Sequence, residues 1–124
     1  MTRPLALLVY ERLLPGSQLV NRLQDLGYRV QTSADLAALV GLAQREKPLV
    51  ALIDLSFRNA DVCEFIRALR THSDTAHVPV IAFGDPKDRA LQTAAHAAGA
   101  TLVAGSDGIL EQLATLIDRA IDVQ

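Results

Sequence analysis

Asp54 ends an unbroken apolar run, Leu49-Val50-Ala51-Leu52-Ile53, and any chemistry in this chain is expected to centre on it. A carboxylate in such a place can help hold a hard cation such as Mg²⁺, together with a second acid, a backbone carbonyl and waters. It can also attack phosphorus and form an aspartyl phosphate. Glu11 follows another apolar run, Leu5 to Val9, with Tyr10 between them. If the two runs are neighbouring strands, Glu11 and Asp54 face each other, and the Ser56 carbonyl is a natural third ligand. Gly84-Asp85 and Ser106 end later apolar runs and are expected at the same edge. The plainer alternative is that Asp54 caps a strand and is solvated.

Positioning these residues requires a particular architecture. Runs without polar alternation read as strands buried on both faces, the kind found in parallel sheets covered by helices. Leu19, Val20, Leu23 and Leu26 recur at helical spacing and stop at Gly27, a suitable residue for the end of a helix. Pro15-Gly16-Ser17 reads as a break before that helix. Tyr28 to Thr32 reads as a second strand. Ser33 is the expected N-cap of the next helix, with Asp35 in its first turn and Leu36, Leu39, Val40 and Ala43 on its buried face. Val62, Phe65, Ile66 and Leu69 mark a third helix, with Arg67 and Arg70 facing outward. Val78 to Phe83 reads as the fourth strand, entered through Pro79. Asp85-Pro86 reads as the start of a fourth helix closing at Gly99. Thr101 to Ala104 is a short fifth strand, and Ile109 to Ile121 carries the stripe of the last helix.

Strand and helix alternate five times. That order implies an α/β domain spanning 1–124, with right-handed crossovers. A flavodoxin-like doubly wound parallel sheet of order 2-1-3-4-5 is the expected solution, with an open Rossmann-like half as the alternative; either gathers the site at the carboxyl ends of the strands.

Composition narrows the function. The 124 residues are 50% hydrophobic with a net charge of −2, which leaves no footprint for nucleic acid or an anionic membrane. One cysteine, Cys63, permits no internal disulfide and suits a reducing cytoplasm. No apolar run spans a bilayer, and no signal-peptide pattern is present. His72, His77 and His96 lack metal-ligand spacing. No Gly-rich phosphate loop appears.

Along nearly its whole length the chain resembles the receiver domain of bacterial two-component response regulators. The Leu-Ile-Asp-Leu segment around Asp54 looks like the phosphoacceptor strand, Gly27-Tyr28 like the end of helix one, Pro79-Val80-Ile81 like the start of strand four, and Ala98-Gly99-Ala100 like the family's Ala-Gly-Ala. The resemblance implies Asp54 as phosphoacceptor, and it implies losses around it. The family's acidic pair falls on Tyr10 and Glu11. Its hydroxyl residue at the end of strand four falls on Gly84, its switch aromatic on Val103, and its Lys-Pro on Ser106-Asp107. Arg58 and Val62 stand where the loop usually carries Pro and Gly.

Phosphotransfer to Asp needs the phosphoryl charge neutralised. Ser106 brings no cation, Gly84 no hydroxyl and Val103 no aromatic rotamer. Any Mg²⁺ site built from Glu11, Asp54 and Ser56 is therefore expected to be weak, and no other cofactor is implied. Arg58 is one candidate to replace the lost cation near Asp54 and Glu11; the alternative is a solvated loop residue. The expected function is an atypical receiver, not an enzyme, that binds a protein partner (a histidine kinase or an output or regulatory protein) without phosphorylation. The alternative is a working receiver phosphorylated on Asp54. A small-molecule-binding domain is a third reading, resting on fold analogy alone. The fourth helix carries Ala90, Ala94, Ala95, Ala97 and Ala98, so a homodimer through helix four, strand five and helix five is also an expectation.

Overall fold

In the computed structural model, which describes residues 3–58 and 60–123, five parallel strands lie in the order β2-β1-β3-β4-β5. The strands are β1 (Leu5–Val9), β2 (Arg29–Ser33), β3 (Val50–Asp54), β4 (Val80–Gly84) and β5 (Leu102–Gly105). The helices are α1 (Leu13–Asp25), α2 (Leu39–Glu46), α3 (Val62–Thr71), α4 (Arg89–Ala97) and α5 (Ile109–Val123). The expected sheet and order are those observed.

Period-two alternation sends each central strand into two cores. Leu7 and Val9, Ala51 and Ile53, Val80 and Ala82 face α2, α3 and α4. Ala6 and Leu8, Val50 and Leu52, Ile81 and Phe83 face α1 and α5. Every residue of β1, β3 and β4 is buried, which is why these strands carry no polar alternation in the sequence. β2 and β5 are the edges and are only partly buried.

Several local boundaries differ from expectation. Pro15 and Gly16 lie inside α1, which begins at Leu13. Proline costs no hydrogen bond in a first helical turn, where the N–H has no partner. The N-cap of α4 is Asp88, whose side chain accepts from the Leu91 N–H; Asp85 instead accepts from Lys87 in the turn before. Ser33 ends β2, and Asp35 caps a single 3₁₀ turn, Leu36–Ala38, that leads into α2. Arg70 is not a solvated helix end. It donates to the Val78 carbonyl at 2.6 Å. A methyl group on Gly99 (φ +116°) would meet its Cγ at 2.8 Å, so glycine is required at that turn.

Candidate functional site

The carboxyl ends of β1, β3, β4 and β5 meet at one edge of the sheet. Asp54 ends the central strand, between β1 and β4, and pairs in register with Phe83. It is 1% exposed. One carboxylate oxygen, Oδ1, accepts from the Ser56 N–H at 2.9 Å. The other, Oδ2, faces the guanidinium of Arg12, with Nη2 at 3.6 Å. Among the described residues this is the only ion pair. A buried carboxylate without a partner is costly, and a cation beside it offsets that cost.

Arg12 reaches Asp54 from the N-cap of α1, where its backbone is extended and its side chain makes no cap hydrogen bond. A cation there is disfavoured by the positive end of the helix dipole, and Ser, Thr, Asp or Asn is the usual choice. The Asp54 carboxylate compensates for that misplacement. Arg12 was missed in the sequence, although a cation at a helix N-cap is a signal that it serves something else.

Arg58 does not hold that role. Its side chain is exposed, and its backbone N–H donates to Glu11 Oε1 at 3.2 Å. Glu11 thus ties the loop after β1 to the loop after β3. Tyr10 sits at the head of α1: a methyl group on Gly16 would overlap its ring, whose Cγ lies 2.7 Å from that position. The ring packs with the core under α1 and α5.

Gly84 lies in β4 directly against Leu55. A Cβ there would meet Leu55 Cβ at 3.1 Å and Cδ1 at 3.3 Å. A side chain at this position would need Leu55 to shift by a few tenths of an ångström. Ser106 follows β5, its N–H donating to the Gly84 carbonyl at 2.7 Å. Asp107 folds back over Gly105, where a Cβ would collide with its carboxylate. Val103 is half-buried in β5 and packs on the core facing α2, α3 and α4.

These residues do not make a good Mg²⁺ site as placed. Octahedral Mg²⁺ is bound through one or two carboxylates with free oxygens. Here Oδ1 of Asp54 takes a backbone N–H, Oδ2 faces a cation, and Glu11 accepts from Arg58. No group of three His, Cys, Asp or Glu residues with metal-binding proximity occurs among the described residues. Cys63 is buried on α3. Burial pushes its thiol pKa up, Asp61 adds to this and Arg67 opposes it, so the thiolate is scarce at neutral pH.

No protein-family model matches the chain, and no curated protein matches it in sequence. Solved structures do match. The chemotaxis response regulator CheY4 of Vibrio cholerae is 24% identical, with a TM-score of 0.84 over 96% of this chain and 99% of that one. A response regulator of Chloroflexus aurantiacus, itself described as putative, is 17% identical, with a TM-score of 0.89 over 98% and 99%. The receiver domain of a sensor histidine kinase from Pseudomonas aeruginosa is 23% identical, with a TM-score of 0.87 over 98% and 99%; it was solved with magnesium coordinated in its active-site cleft. The fold is that of the response-regulator receiver domains.

Proposed function

We propose that this receiver-fold chain is a protein-interaction module of two-component signalling that works without a phosphorylation cycle. The observation that carries the reading is the Arg12 guanidinium beside Asp54 Oδ2. It puts a protein-borne cation against the carboxylate that would otherwise help bind the metal or attack phosphorus. Gly84, packed against Leu55, carries no hydroxyl to follow a phosphoryl group, and no lysine stands at Ser106. A carboxylate already paired inside the chain gives a phosphorylation cycle little to act on. The module is read as a binding protein rather than an enzyme, with a histidine kinase or an output or regulatory protein as partner. Ala90, Thr93, Ala94 and Ala97 are exposed on α4, and this small-residue face supports contact with a partner or a second copy there.

One feature favours a second reading, phosphorylation of Asp54 after displacement of Arg12: the arginine side chain is 46% exposed and has room to leave. Incubation with Mg²⁺ and acetyl phosphate, followed by intact-mass measurement, separates the two. The expected result is no acyl phosphate on the native chain. A Mg²⁺-dependent gain of one phosphoryl group, abolished by Asp54→Ala, would overturn the first reading in favour of the second.

A further inference from the structure

The opposite edge of the sheet holds a groove of about 610 Å³, formed where the chain enters β1, β2, β3 and β4. Arg3, Arg29, Lys47 and His77 line it, and among the described residues no acidic one does. Each of these four side chains is exposed, and none has an ion-pair partner among the described residues. In a chain of net charge −2 this is a local reversal of sign. The groove also has an apolar component. Leu49, at 41% exposure the one exposed large hydrophobic among the described residues, lies in it beside Pro48.

Two details show that the cations are placed rather than scattered. Arg29 Nε donates to the Arg3 carbonyl at 3.2 Å, which holds the guanidinium across the entrance of β1. Lys47 is the only described non-glycine residue with a positive φ, at 50°. It ends α2 in the left-handed conformation. After α1 and α4 the left-handed position belongs to Gly27 (φ 94°) and Gly99 (φ 116°). A side chain in that conformation costs about 1–2 kcal/mol, which glycine avoids. Strain of this kind points toward a use for the side chain, and the Lys47 side chain lines the groove. His77 and Lys47 also line a neighbouring cleft with Asp74, so the carboxylate stands beside the groove rather than in it.

We propose that this groove docks an acidic peptide segment of a partner protein, with one apolar side chain of that segment seated on Leu49. Charge complementarity selects the occupant: three permanent cations and a histidine around an exposed leucine match carboxylates flanking an apolar anchor. The shallow, open shape at the strand entrances suits an extended segment.

The test is selection of short random peptides displayed on phage against the native chain, with parallel selection against the double variant Arg29→Glu, Lys47→Glu. Both substitutions are at exposed positions, and far-UV circular dichroism checks that the fold is kept. Enriched peptides are expected to combine Asp or Glu with a Leu, Ile or Phe. Synthesised and labelled, they should lose about tenfold or more in affinity with the double variant and lose affinity with Leu49→Ser. Backbone amide shifts should move at Arg3, Arg29, Lys47 and Leu49. The proposal is overturned if selection enriches no acidic peptide, or if the double variant binds the enriched peptides equally well. It is also overturned if inorganic phosphate alone moves the same amides and displaces the peptide, which would make this a free-anion site. Sedimentation showing self-association that the double variant abolishes would give the groove to a second copy instead, and would likewise overturn it.

Discussion

At the carboxyl ends of the strands the charges are matched inside the chain, whereas at the amino ends they are left open. Asp54 is buried, takes the Ser56 N–H, and has Arg12 beside it. Arg3, Arg29, Lys47 and His77 gather at the other end of the strands, with no carboxylate among the described lining residues. In receiver folds the first edge is where a phosphorylation cycle would be sought. In this chain that edge has its own counter-ion and a leucine packed against Gly84, and the second edge has the unsatisfied charge. A carboxylate at the end of the central strand therefore says less about function than the groups that answer it do.

The sharpest way to break that contrast is to remove the answering cation. Arg12→Ala leaves the Asp54 carboxylate buried with one hydrogen bond. A fully buried broken pair costs several kcal/mol, and the half-exposed arginine discounts this to about 1–2 kcal/mol. Urea unfolding of Arg12→Ala, Asp54→Asn and the double variant checks it, since the double variant should recover most of the loss through a coupling of about 1 kcal/mol. Changes within about 0.5 kcal/mol for Arg12→Ala would mean that the upper edge is not held by the pair.

Lys47→Gly addresses the lower edge and should act in the opposite direction. Relief of the left-handed conformation, less the extra entropy of glycine in the unfolded chain, gives a gain of about 0.5–1 kcal/mol. The same variant should bind the acidic peptides more weakly, a trade of stability against function. A loss of stability in thermal unfolding would show that the lysine is held there by packing rather than for its charge.

The smallest effect concerns Tyr28, which immediately precedes Arg29 and packs near Asp118. Burial raises its phenol pKa above 10.0, and the Asp118 carboxylate adds to the shift. The folded chain therefore keeps a proton that the unfolded chain releases near pH 10. Stability from this source is complete below that pH and falls as pH rises through the folded value. Tyr28→Phe should flatten the alkaline limb of the stability profile and leave the neutral region unchanged. An identical alkaline limb in both proteins would assign the loss to another group.

Much of the frame could be read without coordinates. β1, β3 and β4 appear as continuous apolar runs because parallel strands covered on both faces have no solvent side. Their carboxyl ends place Asp54, Glu11, Gly84 and Ser106 at one edge. Helix starts are less legible: Pro15-Gly16 reads as a break although it lies inside α1, and Asp85-Pro86 reads as a helix start although Asp88 is the cap, because turn and first-turn residues share the same chemistry.

Sequence alone thus determined the alternation of five strands and five helices, and with it the fold class, and the place of Asp54 at the end of a buried strand, since these follow from hydrophobic periodicity and chain order. Tertiary structure alone decided which cation answers Asp54, that Leu55 packs against Gly84, and that four basic residues from four strand entrances share one groove. Those outcomes depend on side-chain direction and on the left-handed turn at Lys47, and a one-dimensional pattern encodes neither.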